Sequence, residues 1–280
     1  MSKTESSRAV LYERDGRIAY ITLNRPDKLN AINHEMPGQL SAAVAEANDD
    51  EEVHVMVLAG AGRAFCSGYD LEIYAEQARP CPGSQNMPWD PMLDYRWMSE
   101  NLASFMSLWR SLKPVICKVH GYAVAGGSDI ALCSDIIIMA EDAKIGYPPA
   151  RVWGCPTTAM WAYRVGAERA KRLLLTGDLI SGVEASRIGL VSQAVPLADL
   201  DATVNSLALR VASVPKNQLI MQKLVINQAF ENMGLATTQM MATVFDGIAR
   251  HTPEGVAFKN RAEEVGFKQA VKDRDSGKPI

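Results

Sequence analysis

The sequence predicts an α/β protein on a mainly parallel sheet, carrying a helical C-terminal extension. Three observations lead there. Apolar stretches at 52–60 (EVHVMVLAG), 115–121 (VICKVHG) and 135–141 (DIIIMAE) have the length of strands buried on both faces, and they alternate with helical segments. A hairpin signal, Asp15-Gly16 between two apolar runs, opens the chain. After Pro156 helical periodicity takes over, and its last three segments, 215–232, 234–249 and 253–272, lack the strands needed for a second sheet.

Taken in order, AVLYER and RIAYITL form the two strands of the hairpin over 8–23. The polar loop NRPDKLNAIN follows with Arg25 and Lys28. A helix begins near Pro37, because proline fits only the first turn, and runs through QLSAAVAEAN. Residues 79–98 hold four prolines in a polar and aromatic mixture, which predicts a long loop or lid. A helix over about 99–112 ends before Lys113-Pro114. The stretch AVAGGSDIALCSD (123–135) lies between buried strands, and a short strand AKIGY comes after them. Helical segments are expected at 157–175, 182–188, 198–213, 215–232, 234–249 and 253–272. Residues 1–200 therefore read as an α/β core and 201–280 as a helical extension that packs on it or on another subunit.

The totals narrow the function. The 280 residues carry a formal charge of −3, which argues against a general nucleic-acid binder. No apolar run approaches the roughly 18 residues that span a bilayer, and the first ten residues lack a secretory apolar core. A cytoplasmic location is the expectation. Cys66, Cys81, Cys117, Cys133 and Cys155 are odd in number and show no metal-ligand spacing, so small buried hydrophobes are expected rather than ligands or disulfides.

Two stretches have the composition of a site. Gly60-x-Gly62 follows a buried strand, as in a dinucleotide fingerprint, but the third glycine position is Phe65 and SGYD is turn chemistry. That reading fails. The same segment, FCSGYD, places Ser67-Gly68 in a turn where a backbone N–H can point outward. In AVAGGSDIALCSD, Gly126-Gly127 lead to Ser128, a good N-cap residue, and to Asp129 in the first turn. This stretch is either an ordinary helix start or a set of free N–H groups able to hold a developing oxyanion. No GxSxG elbow, HExxH or P-loop is present, and His34, His54, His120 and His251 stand in no triad context.

In order along the chain, ITLNRPDKLNAIN, VHVMVLAGAGRAFCSGYDL, KPVICKVHGYAVAGGSDIALCSDIIIMAEDAKIGYP and AERAKRLLLTGDLISGVEASRIGLVSQAVP resemble the crotonase superfamily, the enoyl-CoA hydratase/isomerase proteins. The similarity covers about residues 8–270. It implies a spiral of ββα units and a helical C-terminal region that assembles homotrimers or homohexamers. It implies an acyl-CoA thioester as substrate, with no permanently bound cofactor. The two oxyanion donors would be the N–H groups of Ser67 and Gly126. Coenzyme A would be met by Lys28, by Ser67, Gly68, Tyr69, Asp70 and Leu71, and by Lys259, which could reach its phosphates across a subunit boundary. Family members often carry lysine where this chain has Glu72.

The resemblance breaks at the acids. Hydratases of the family hold a water between two glutamates. The first falls on Asp129, whose reach is shorter by roughly 1.3–1.5 Å, about one C–C bond. The second falls on Pro149 or Ala150, neither of which can exchange a proton. The expectation is an enoyl-CoA hydratase or isomerase with Asp129 as its only evident acid or base. The alternatives are an acyl-CoA-binding pseudoenzyme or a divergent isomerase or hydrolase. Tyr147, Tyr69, Cys66, Trp89, Asp90 and Asp94 are further candidates near the acyl end, and Trp153 and Trp161 suggest a reshaped acyl pocket.

Overall fold

The computed structural model describes residues 8–77, 85 and 88–277. The hairpin forms as expected: β1 (Val10–Asp15) pairs antiparallel with β2 (Ile18–Leu23), and Gly16 takes φ +55° in the turn. Strands β3 (Val55–Gly60), β4 (Val115–Val119), β6 (Ile136–Ala140) and β9 (Gln193–Val195) continue the sheet in parallel, in the order β1-β2-β3-β4-β6-β9. The parallel strands are buried on both faces, which is why they read as continuous apolar runs.

A second, three-stranded sheet joins β5 (Tyr122–Val124), β7 (Lys144–Gly146) and β8 (Leu179–Ser181). Successive turns of the chain give one strand to each sheet and then a helix. The units are β4, β5 and α3 (Gly126–Leu132), then β6, β7 and α4 (Met160–Thr176). An earlier turn follows the same path: β3 leads to Cys66, which bridges Ala123 of β5, and then to α2 (Pro91–Arg110). This is the ββα spiral.

Helix α1 (Met36–Asp49) packs on β1, β2 and α2; α5 (Gly182–Arg187) leads into β9; α6 (Leu197–Ala212) lies along the main sheet. Residues 216–275 hold α7 (Lys216–Asn232), α8 (Leu235–His251), α9 (Pro253–Val265) and α10 (Phe267–Asp275). Helix α8 runs against α2, and α9 and α10 pack on the π-helical turn Glu72–Glu76. The C-terminal region thus reaches the segment that follows FCSGYD.

Three local expectations need correction. Residues 91–98 are helical, because Asp90 accepts the Met92 N–H as an N-cap and Pro91 occupies the first helical position. The remainder of the expected lid, 79–84 and 86–87, lies outside the described residues, as does Cys81. The 253–272 helix is two helices separated by Gly266 at φ +81°. Strands β8 and β9, three residues each, fall between the expected helical segments. Ser128 is not the N-cap of α3. Ala125 holds that position, and the Ser128 hydroxyl donates back to Ala125 O at 2.7 Å.

Candidate active site

A cavity of about 340 Å³ opens between the glycine segments, the 147–157 loop and the C-terminal helices. Its floor is set by two close backbone approaches. A Cβ on Gly127 would stand 2.3 Å from Cys66 O, so glycine is what lets the start of α3 lie against FCSG. A Cβ on Gly68 would stand 3.5 Å from Gly126 N, which brings the two stretches singled out in the sequence side by side.

The N–H groups around this crossing can be followed one by one. Ser67 N–H donates to Leu29 O at 3.0 Å, Gly68 N–H points at the Cys66 thiol, and Asp70 N–H donates to Ile32 O at 3.0 Å. Tyr69 N–H has no protein acceptor among the described residues, and neither has Gly126 N–H at the start of α3. The donor expected at Ser67 is therefore already engaged, and the free one lies two residues on. Ile32 pairs in parallel with Tyr69, so the N–H of residue 69 faces away from that partner.

Asp129 lines the cavity from α3 and is almost wholly buried. Thr158 Oγ1 donates to its Oδ1 at 2.6 Å. Burial pushes the Asp129 carboxyl up to about 8; the Thr158 donors oppose this and the nearby Asp246 charge adds to it. At neutral pH Asp129 is a carboxylic acid. Pro149, at the expected place of a second acid, sits in a 3-10 turn, Pro148–Ala150, and also lines the cavity.

Helix α8 brings a carboxylate and a guanidinium to the same cavity. Asp246 and Arg250 both line the cavity. Asp246 Oδ1 accepts the Cys155 N–H at 3.0 Å, and its Oδ2 pairs with Arg250. Arg250 Nη2 also reaches Asp94 Oδ1 at 3.2 Å, and the guanidinium lies over Trp97 at 5.5 Å. Burial disfavours the Arg250 charge, but the Asp246 and Asp94 carboxylates outweigh it. Sequence reasoning missed Asp246 and Arg250. Their i,i+4 spacing reads as an ordinary helix-surface pair, and only the fold turns it inward.

The other expected residues divide. Tyr69 sits in an aromatic group with Tyr74 (5.8 Å), Trp97 (6.0 Å) and Phe105 (6.4 Å), forming an apolar wall. Tyr147 lines the cavity and donates to Cys155 O at 2.9 Å. Burial holds both phenols well above their ordinary range. Trp153 lines the cavity and packs on Phe258, whereas Trp161 is core. The Cys66 thiol is buried, pushed up to about 12 by that burial, and donates to Asn30 O, so it is no nucleophile. Trp89 stacks on His251 at 4.4 Å, Asp90 caps α2, and Asp94 holds Arg250.

For the coenzyme residues, a neighbouring groove of about 880 Å³ shares Leu29, Ser67, Tyr69 and Leu71 with the cavity and carries Lys28, Arg63 and Lys268. Lys28 pairs with Glu72 at 2.5 Å on the surface. Asp70 is buried against Arg25 at 3.0 Å and so serves the loop fold. Lys259 is buried as well, its ammonium donating to Gln77 O at 2.7 Å and paired with Glu263, and it does not line either cavity. No cluster that could hold a metal occurs among the described residues, and none of their helices is long and apolar enough to cross a membrane.

The spiral and its apolar, carboxylate-bearing cavity define a small-molecule enzyme of the ββα-spiral class. The family described as "Enoyl-CoA hydratase/isomerase" matches residues 13–264. A crystal structure of enoyl-CoA hydratase from Mycobacterium smegmatis is 50% identical with a TM-score of 0.90, covering 96% of this chain and 94% of that one. An enoyl-CoA hydratase/isomerase from Xanthobacter autotrophicus Py2 is 30% identical with a TM-score of 0.89, covering 98% and 99%. A relative from Mycobacterium bovis, named "Probable enoyl-CoA hydratase", is 31% identical over 230 residues, 80% of this chain and 82% of that protein. The chain belongs to the enoyl-CoA hydratase/isomerase family and is an acyl-CoA enzyme of it.

Proposed function

We propose that the chain hydrates the α,β double bond of an enoyl-CoA thioester, polarising the thioester carbonyl between the N–H groups of Gly126 and Tyr69. The observation that carries this is the pair of unengaged N–H groups on adjacent segments, at a cavity that the buried Asp129 also lines. Donors fixed by backbone need no reorganisation when charge develops on the carbonyl oxygen, and one such donor typically contributes about 10²-fold or more in rate. Tyr69 N–H replaces Ser67 N–H in this assignment because the Ser67 donor is tied to Leu29 O.

The acyl group occupies the cavity, against Trp97, Met98 and Trp153. The pantetheine and nucleotide lie along the adjoining groove, where Lys28, Arg63 and Lys268 meet the phosphates and Leu71 and Ser67 flank the thioester end. Lys28 must leave Glu72 to do so, which an exposed ion pair allows at little cost. Homotrimers or homohexamers form through the C-terminal helices, and the enzyme is cytoplasmic.

Loss of absorbance at the enoyl-thioester band, followed with crotonyl-CoA and longer enoyl-CoAs, tests the reaction. Turnover is expected with at least one chain length, and Asp129→Ala is expected to abolish it while acyl-CoA affinity stays nearly unchanged. Tight binding without turnover at any length would make the chain an acyl-CoA-binding pseudoenzyme.

A further inference from the structure

We propose that Asp246, on the C-terminal helix α8, supplies the second carboxylate of the site in place of the acid absent at Pro149 and Ala150. The inference rests on the hydration reading above. Its ground is position. A Cβ at Gly154 would stand 3.2 Å from Pro149 Cβ and 3.3 Å from Asp246 Oδ1, so the carboxylate comes close to the side chain occupying the vacated place. Tyr147 Oη stands 3.4 Å from the same point. A side chain at 154 would press on all three, so glycine there leaves the carboxylate its room.

Asp246 is buried but not saturated. Oδ1 accepts the Cys155 N–H and Oδ2 the Arg250 guanidinium, which leaves a further lone pair on each oxygen for a water or substrate proton. Those two contacts fix the carboxylate against the cavity wall. Helix α8 is tied to the first acid as well: Gln239, two turns before Asp246, donates to Thr158 O at 3.0 Å, and Thr158 Oγ1 donates to Asp129 at 2.6 Å. The two carboxyl groups have opposite surroundings. Asp129 has a hydroxyl donor and no cation in contact, whereas Asp246 has a guanidinium. Environments of this kind separate an acid from a base.

The step balances with these two groups. The water oxygen bonds to Cβ as its proton passes to the Asp246 carboxylate, and the π electrons move to the thioester carbonyl as an enolate. The enolate takes the Asp129 carboxyl proton at Cα. Asp246 then holds one proton more and Asp129 one fewer, and transfer of that proton through water restores both.

The test compares the wild-type chain, Asp246→Asn and Asp94→Asn with a saturating enoyl-CoA over a range of pH. Asp246→Asn keeps the acceptor for Cys155 N–H. It is expected to lower kcat by about 10²-fold or more with KM nearly unchanged, the effect of removing a general base. It should also lose the acidic limb of the pH–rate profile. Asp94→Asn removes the other Arg250 partner and is expected to retain that limb. If Asp246→Asn does not fold, the double variant Asp246→Asn with Arg250→Gln is read against Arg250→Gln alone, and only the double should lose the limb. An unchanged profile and rate in Asp246→Asn, or an equal loss in Asp94→Asn, overturns the assignment and leaves the hydratase reading standing. A wild-type chain inactive on every enoyl-CoA overturns both.

Discussion

Asp129 carries its proton at neutral pH because the folded chain has taken it out of water, and that choice sets a stability cost. Its carboxyl rises from an ordinary value of 3.8 to about 8, through burial first and the Asp246 charge in addition, with Thr158 opposing. The folded state therefore binds this proton more tightly than the unfolded chain does. The advantage is complete below about pH 4 and is lost progressively as pH rises to about 8, at about 1.4 kcal/mol per pH unit. Asp129→Asn keeps the acceptor for the Thr158 hydroxyl and cannot ionise. Its melting temperature is expected to exceed that of the wild-type chain increasingly from pH 5 to pH 8, as thermal melts across that range would show. An Asn variant that gains nothing with pH would mean that Asp129 is ionised when folded.

At the scale of elements, the start of α3 depends on two adjacent glycines with different reasons for being glycine. A Cβ at Gly127 would meet backbone, Cys66 O at 2.3 Å and Cys66 C at 2.8 Å. At Gly126 it would meet side-chain atoms, Ile32 Cδ1 at 2.8 Å and the Tyr69 ring at 3.0 Å, which can move. Gly127→Ala is thus expected to destabilise more than Gly126→Ala, by about 1–3 kcal/mol as for other overpacked sites, measured by chemical denaturation. Equal losses would show that the crossing of the two segments is loose. This crossing marks where the sequence could be read and where it could not. The glycines, the buried strands and Asp129 were legible because each follows from local chain chemistry. The three-residue strands β5, β7, β8 and β9 were harder, since three residues carry almost no periodicity. The start of α2 was legible in Asp90-Pro91, but the surrounding prolines pointed to a loop. Arg250 meets Asp94 across 156 residues and Asp246 meets Cys155 across 91, and no local pattern announces such contacts.

Across the whole molecule, α8 has two working faces. Gln239, Thr243, Asp246 and Arg250 are buried toward α2 and the cavity. On the opposite side Met241, Val244, Phe245 and Ile248 are 56%, 43%, 51% and 39% exposed, at the i, i+3, i+4, i+7 spacing of one helical stripe. Met221, Leu224 and Val225 add exposed apolar area on α7. An apolar stripe of this kind in one chain is what a subunit interface would cover. Assembly through it would fix α8, and with α8 the position of Asp246 and Arg250, so activity and oligomeric state should be coupled. The double variant Phe245→Glu with Ile248→Glu is expected to sediment as a monomer, and the wild-type chain is expected to sediment as a trimer or hexamer. Its kcat should fall with assembly, while circular dichroism retains the helical signal. A wild-type chain that is monomeric by sedimentation, or a monomeric variant with full turnover, would separate the interface from the site. In the second case, packing of α8 on α2 within one chain, including the close approach of Gly247 to Asp94, would be enough to hold the carboxylate in place.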